Sequence, residues 1–316
     1  MSRSDAGSVV AVGIDGSVES RVATQYALDV AAARHRGVLV VHAYQPPWLV
    51  GPVTTAFTPS MQQSAESLVA ETLAGLVLHP SVHVDSRIAL DDPVTLLREV
   101  SEHASLLVLG RHHFTLADQL LTGSVASPLA AKAACPVVIV PRTWDRTRSD
   151  PRPVVVTIDG ETPATAALDY AFGEAEMRRS GLIALHAAPL HELEYLNSLE
   201  RASVGEILAG QKQDHPDVSV TTLMVEGAVT DRIIEASREA AVLVVGRPHH
   251  HGPVTLWTRS VAHAVLARSE CPLVVVPQAG PATEAVPEGA AALRRPSLLR
   301  RWSADEAGEA TRGSTG

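Results

Sequence analysis

Two stretches, LLVLGRHHF (106–114) and VLVVGRPHH (242–250), run from a buried apolar strand through a glycine into a cationic cluster. A run of this kind delivers side chains to the carboxyl end of a strand, where an open parallel sheet binds its ligands. Gly110 ends the first run and would let a backbone approach a ligand closely, and Arg111, His112 and His113 follow with groups that bond anions. Thirteen residues after Gly110 come Gly123, Ser124 and Val125, at the predicted start of a helix. Free N–H groups and the positive end of a helix dipole suit a phosphate there, and the Ser124 hydroxyl adds a donor. Asp15, closing the strand in VVAVGIDGS (9–17), can accept hydrogen bonds from a ribose or an adenine amine. Val41 and His42, closing a second strand, bring backbone groups to a base edge. These residue types together describe a nucleotide site, and the second half carries Asp159, Gly246, His249 and Ser260 at the corresponding stations.

Each residue also has a plainer role. Asp15 and Asp159 suit the capping carboxylate of a tight turn in DGS and DGE. His42 and His186, inside apolar strands, fit core histidines as well as base-site lining. The clusters His112-His113 and His249-His250-His251 resemble a metal site at first sight, but consecutive histidines diverge and no Cys or acidic ligand is spaced to complete a tetrahedron, so no metal is expected. Solvated loop histidines, or a group titrating near neutral pH, are the other readings. Cys135 and Cys271 stand at equivalent points in CPVVIVP and CPLVVVP and read as buried small residues at a strand start, not as a disulfide or a nucleophile. No nucleophile–base pair stands out, so no catalytic residue is assigned and at most slow ATP hydrolysis would accompany binding.

The elements that must carry these residues occur twice. Asp15 and His42 recur as Asp159 and His186 at an offset of 144; Gly110, Ser124 and Cys135 recur as Gly246, Ser260 and Cys271 at 136. Eight extra residues therefore lie between the second and third strands of the first half, near the Pro/Thr-rich segment 45–60. Anchors this regular indicate duplication. Each half reads β-α-β-α-β-α-β-α-β. The predicted strands are 9–14, 37–43, 82–89, 105–110 and 136–140, then 153–158, 181–187, 218–225, 241–246 and 272–276. The predicted helices are 19–35, 61–78, 93–104 and 123–134, then 162–180, 192–213, 229–240 and 260–269. Strands apolar on both faces demand helices on both sides of a parallel sheet. The fold class is thus α/β, with two repeated doubly wound domains of five parallel strands. Residues 1–144 and 153–278 form the two domains and 145–152 the linker. The Ala/Gly/Pro/Arg-rich segment 279–316 shows no strand pattern and is expected to be disordered. Within it, RRPSLLRRWS (294–303) puts arginines at the −3 and −2 positions of Ser297 and Ser303. That suits an Arg-directed kinase, and equally a short basic patch.

Composition narrows the function classes. Aromatics are 3% of a chain that is 46% hydrophobic, so the core must be Val, Leu, Ala and Ile, which favours helices on a sheet over a β-sandwich. The net charge of −9 and the lack of a long basic run argue against DNA as a partner. The N-terminus has no apolar signal core and no run approaches the ~18–20 apolar residues of a membrane span, so a cytoplasmic protein without a membrane partner is expected.

The VGIDGS opening, Gly110…Gly123-Ser124 and the CPVVIVP closing strand, over 8–141 and 153–277, resemble a tandem universal stress protein. Nucleotide-binding members of that family carry G-x2-G-x9-G-[S/T] after the fourth strand and an aspartate after the first. The resemblance implies strand order 3-2-1-4-5 and pairing through the last strands, here between the two halves of one chain, with a homodimer also open. It also implies ATP, with Mg²⁺ beside its phosphates, and a stress-response regulatory role with a protein partner yet to be identified. The chain departs from that pattern. His113 stands at the second glycine of the first half, and His249 and Arg259 replace two glycines in the second. An imidazole narrows the space for phosphate, yet it and the arginines can also bond phosphate oxygens. The first half is therefore the expected ATP site. The competing expectation is a protein-interaction scaffold whose nucleotide sites have decayed.

Overall fold

A computed structural model of the chain describes residues 9–45, 58–111, 125–147, 151–158, 165–189, 205, 208, 210–247, 259–277 and 297–302. The chain divides into two compact units. The first is built from β1 (Val9–Gly13), α1 (Val18–Ala33), β2 (Val38–Tyr44), α2 (Thr58–Leu73), β3 (Val84–Leu90), α3 (Pro93–Ser101), β4 (Ala104–Gly110), α4 (Ala126–Lys132) and β5 (Val137–Val140). Its five strands are parallel in the order β3-β2-β1-β4-β5, with Val12 opposite Val40 on one side and Val108 on the other. The second unit holds β6 (Val154–Thr157), α5 (Thr165–Arg178), β7 (Leu182–Ala188), a helix α6 described at 210–214, β8 (Val220–Glu226), α7 (Val229–Glu239), β9 (Val242–Gly246), α8 (Arg259–Arg268) and β10 (Leu273–Val276). These strands are also parallel, in the order β8-β7-β6-β9-β10. Both units therefore have the 3-2-1-4-5 order.

The composition explains the layers. Val10, Ala11 and Val12 of β1 and Leu106, Leu107 and Val108 of β4 are fully buried in succession, so both faces of the central strands are covered. Branched side chains suit a pleated strand buried on both sides, while Ala23, Ala27 and Ala31 let α1 lie close on the sheet. Helix starts follow local chemistry. Ser17 caps α1 by accepting the Ser20 N–H at 3.0 Å, and Asp92 caps α3 by accepting the Thr95 N–H at 2.9 Å, with Pro93 in the first turn as predicted.

Strand bounds agree with the sequence to within two residues, and the helices depart further. α2 begins at Thr58, not 61, because Pro59 fits a first helical turn. It ends at Leu73, not 78, and Gly75 then takes a left-handed φ of +80°. α4 is seven residues, Ala126–Lys132, not the predicted 123–134, and α3 stops at Ser101, not 104. Only part of the predicted helix 192–213 lies among the described residues.

The expected absence of structure beyond 278 needs correction. Ser297–Trp302 forms a strand, β11, antiparallel to β3, with Ser297 opposite Ala89 and Trp302 opposite Val84. The rest of 279–316 lies outside the described residues. Main-chain hydrogen bonds to a sheet edge make such a strand possible where its own side chains carry no alternating pattern. SLLRRW has none, so nothing local announced the pairing. Of the two candidate phosphoacceptors, Ser297 is the first residue of β11 and Ser303 lies outside the described residues.

Candidate functional site

The strand order reverses between β1 and β4, whose carboxyl ends lie side by side. Asp15 sits just past the end of β1 and is exposed. One oxygen, Oδ1, accepts both the Ser17 N–H at 3.0 Å and the Ser17 hydroxyl at 2.6 Å, and Gly16 between them has φ +85°. Asp15 therefore fills the turn-capping role, and its carboxylate is held at the mouth of the switch point by the first turn of α1. Capping and ligand binding are compatible, because a carboxylate accepts at several lone pairs.

Val41, on β2, is buried, and its carbonyl accepts the Ile14 N–H at 2.9 Å. Its backbone is thus engaged in the ladder, which leaves the residues after it better placed for a base edge. His42 and His186 are buried, and each ring reaches a strand-end carbonyl: Nδ1 to Ile14 O at 2.9 Å and Nδ1 to Ile158 O at 3.0 Å.

Gly110 has a different reason to be glycine from the one its sequence context implied. A Cβ there would lie 2.5 Å from both the carbonyl carbon and oxygen of Glu19 and 2.9 Å from the Ser20 nitrogen. The space is filled by the backbone of α1, so the residue serves helix–strand packing before any ligand. At Gly246, among the described residues, a Cβ would meet only the Ala167 Cβ, at an ordinary 3.7 Å. Val125 occupies the N-cap position of α4 with helical φ −56° and ψ −31° and makes no side-chain cap. The helix therefore starts after it. His113, Gly123, Ser124, Asp159 and His249 lie outside the described residues. Ser260 is placed only as the second residue of α8. The structure thus brings together Asp15, Val41 and Gly110 at one strand-end edge.

Two nearby groups were not singled out from the sequence. Glu19, in the first turn of α1, favours that helix's positive end. Its carboxylate lies 3.7 Å from the guanidinium of Arg142, which follows β5. Arg142 is more than half exposed, so the pair adds little stability, but it is a cation beside the switch point. Buried Ser101 and Ser237 were also missed. Each donates to the carbonyl three residues earlier at 2.6 Å and accepts the N–H of Ala134 or Glu270 at 2.9 Å, joining the end of α3 or α7 to the turn before the last strand. Their repetition at the 136-residue offset was the available signal. These residues fit a nucleotide in one respect: an exposed carboxylate at a strand-end switch point suits ribose hydroxyls or an amine. Among the described residues no group of three His, Cys, Asp or Glu could hold a metal ion.

Cys135 and Cys271 are buried and neither is in a disulfide, as the sequence implied. Burial pushes the Cys271 thiol up to about 11, partly offset by the Ser269 hydroxyl, so it is protonated at neutral pH and does not act as a nucleophile. Native protein at pH 8 should leave this thiol unmodified by a disulfide reagent and expose it in denaturant; rapid native labelling would contradict the burial. An unfolded thiol ionises near roughly 8.5. The folded value is raised, so its contribution to stability is intact below that pH and declines as pH climbs toward 11.

The family model described as the universal stress protein family matches residues 8–141 and 151–277. Universal stress protein Rv2005c of Mycobacterium tuberculosis is 30% identical over 286 residues, spanning 85% of this chain and 97% of its own. Universal stress protein Rv2623 of the same organism is 30% identical over 284 residues, spanning 84% and 95%. A universal stress protein from Archaeoglobus fulgidus, seen in a crystal structure, superposes with a TM-score of 0.60 at 19% identity, over 84% of this chain and 98% of that one; it shares the fold. No helix among the described residues is long and apolar enough to cross a membrane.

Proposed function

The chain belongs to the universal stress protein family, and on that premise we propose that it is a stress-response regulatory protein that binds ATP, with Mg²⁺, in its first repeat. The observation that carries the reading is the exposed Asp15 carboxylate, fixed in its turn where the order of parallel strands reverses. Asp15 receives the ribose or the adenine amine. The phosphates run toward the segment after β4, where Gly123 and Ser124 keep the family pattern, His113 replaces its second glycine and Val125 follows. Arg111 and Arg142 supply positive charge at the ends of β4 and β5. In the second repeat Asp159, Gly246, His249 and Ser260 form the weaker counterpart. The role is regulatory, with no catalytic residue assigned.

Isothermal titration of the full chain with ATP and Mg²⁺ tests this. One site per chain is expected. Asp15→Ala should weaken it about 10- to 100-fold, the worth of a hydrogen bond to a charged acceptor. Asp15→Asn keeps a turn acceptor and separates loss of charge from loss of the turn. Gly123→Ala should weaken binding as well. No heat with the wild type, and no nucleotide released when the purified protein is denatured, would turn the reading to a protein-interaction scaffold.

A further inference from the structure

Both repeats tie the peptide before the candidate aspartate to the neighbouring strand by the same two bonds. In the first, the Ile14 N–H donates to the Val41 carbonyl at 2.9 Å, and the Ile14 carbonyl accepts from His42 Nδ1, also at 2.9 Å. In the second, the Ile158 N–H donates to the Leu185 carbonyl at 2.9 Å, and its carbonyl accepts from His186 Nδ1 at 3.0 Å. The paired register of β1 with β2 ends at Gly13 opposite Val41, so the Ile14 carbonyl lies past the last ladder pair. A carbonyl can only accept, so Nδ1 carries the hydrogen in both rings. Both rings are at least nine-tenths buried, at 9% and 5% exposure.

We propose that His42 is a positioning residue for the site described above: it locks the peptide that leads into Asp15 and thereby sets where its carboxylate stands, and His186 holds the Ile158 peptide by the same bond. The inference rests on the nucleotide reading for its functional meaning, but its geometry is independent of it. The Ile14 carbonyl carbon is bonded to the Asp15 nitrogen, so fixing that carbonyl fixes the peptide plane from which Asp15 departs. From there the chain of bonds continues. Asp15 accepts the Ser17 N–H and hydroxyl, and Ser17 Oγ accepts the Ser20 N–H. A line of hydrogen bonds thus runs from β2 to the first turn of α1 with Asp15 in its middle. Without the imidazole the buried carbonyl loses its acceptor bond, and the peptide can turn toward water and take the aspartate with it. Plain core packing would ask only for an apolar side chain here. The same polar bond in both repeats, at the same offset of 144 as the aspartates, points to a conserved geometric task within this one chain.

The test uses the full chain with His42→Ala, His42→Asn and His42→Gln. The Asn amide nitrogen falls near the place of Nδ1, whereas the Gln amide reaches toward Nε2, so only Asn restores the donor. Two readouts are taken well below the onset of unfolding: ATP affinity by titration with Mg²⁺, and hydrogen exchange of the Ser17 amide, which reports the Asp15 turn. His42→Ala and His42→Gln should weaken ATP about tenfold, the worth of roughly one lost hydrogen bond. They should also speed Ser17 exchange by a similar factor while the Val12 amide stays protected. His42→Asn should stay within about threefold of wild type in both. Unchanged Ser17 exchange in the Ala and Gln variants overturns the proposal, as does an Asn variant no better than Gln. If His42→Ala does not fold, the Asn–Gln comparison decides. If wild type binds no ATP, the nucleotide reading falls, and Ser17 exchange alone decides whether His42 positions Asp15.

Discussion

Gly110→Ala should destabilise the first unit by about 2–3 kcal/mol, the upper part of the range for overpacking a filled site. The reason is the chemistry of the neighbour. The added methyl would meet the carbonyl carbon and oxygen of Glu19 at 2.5 Å and the Ser20 nitrogen at 2.9 Å, and backbone cannot swing aside as a side chain can. Relief requires α1 to move off β4. That disturbs Ala23 and Ala27, which are fully buried on the same helix, and shifts the Ser17 cap with the Asp15 turn. Gly246→Ala should have the opposite sign. Among the described residues its methyl would meet only the Ala167 Cβ at 3.7 Å, an ordinary contact. It also lowers the entropy of the unfolded chain, a gain of about 0.4–1 kcal/mol where the backbone already suits alanine. Chemical denaturation of both variants, followed by hydrogen exchange of Val12 for the first unit and Val156 for the second, separates the effects. A Gly110→Ala variant as stable as the wild type would mean that the close approach of α1 to β4 is not what requires glycine at 110.

This pair of glycines marks how far the sequence reaches. Both end an apolar strand before an arginine, and both invite the same ligand-approach reading. What requires glycine at 110 is how closely α1 passes, a tertiary distance that no local pattern encodes. The strands were legible because Val and Leu fill both faces of β1, β4 and their repeats, and a run buried on both sides leaves little freedom in its bounds. The helix ends were less so. α2 stops where Gly75 turns left-handed, and α4 shrinks to seven residues, each decided by a few backbone angles. β11 was invisible for a stronger reason: an edge strand is recruited by the unpaired side of β3. At the site, Asp15 and its turn could be read from DGS. The grip of His42 on Ile14 could not, because a histidine in an apolar strand carries no sign of which nitrogen it uses or whose carbonyl it meets.

Arg178→Ala should cost the second unit about 2–4 kcal/mol, because it removes the guanidinium facing a buried carboxylate. Glu174 is 2% exposed, and Arg178 Nε donates to its Oε1 at 2.7 Å across one helical turn of α5. The arginine is itself 28% exposed, which places the loss below that of a fully buried pair. The first repeat shows what the position needs. At the 144-residue offset Glu174 corresponds to Val30, which is 5% exposed on α1, so the same place in the same helix accepts an apolar side chain. Replacing a buried ion pair by an apolar residue of fitting shape is commonly neutral or stabilising. The double variant Glu174→Val, Arg178→Ala should therefore recover most of the stability lost in Arg178→Ala. Denaturation midpoints of the single and double variants, read on the second unit by exchange of Val156, check this. A double variant as unstable as the single would mean that Glu174 is needed for its own hydrogen bonds, and that the two repeats have diverged in how they build the same helix–sheet contact.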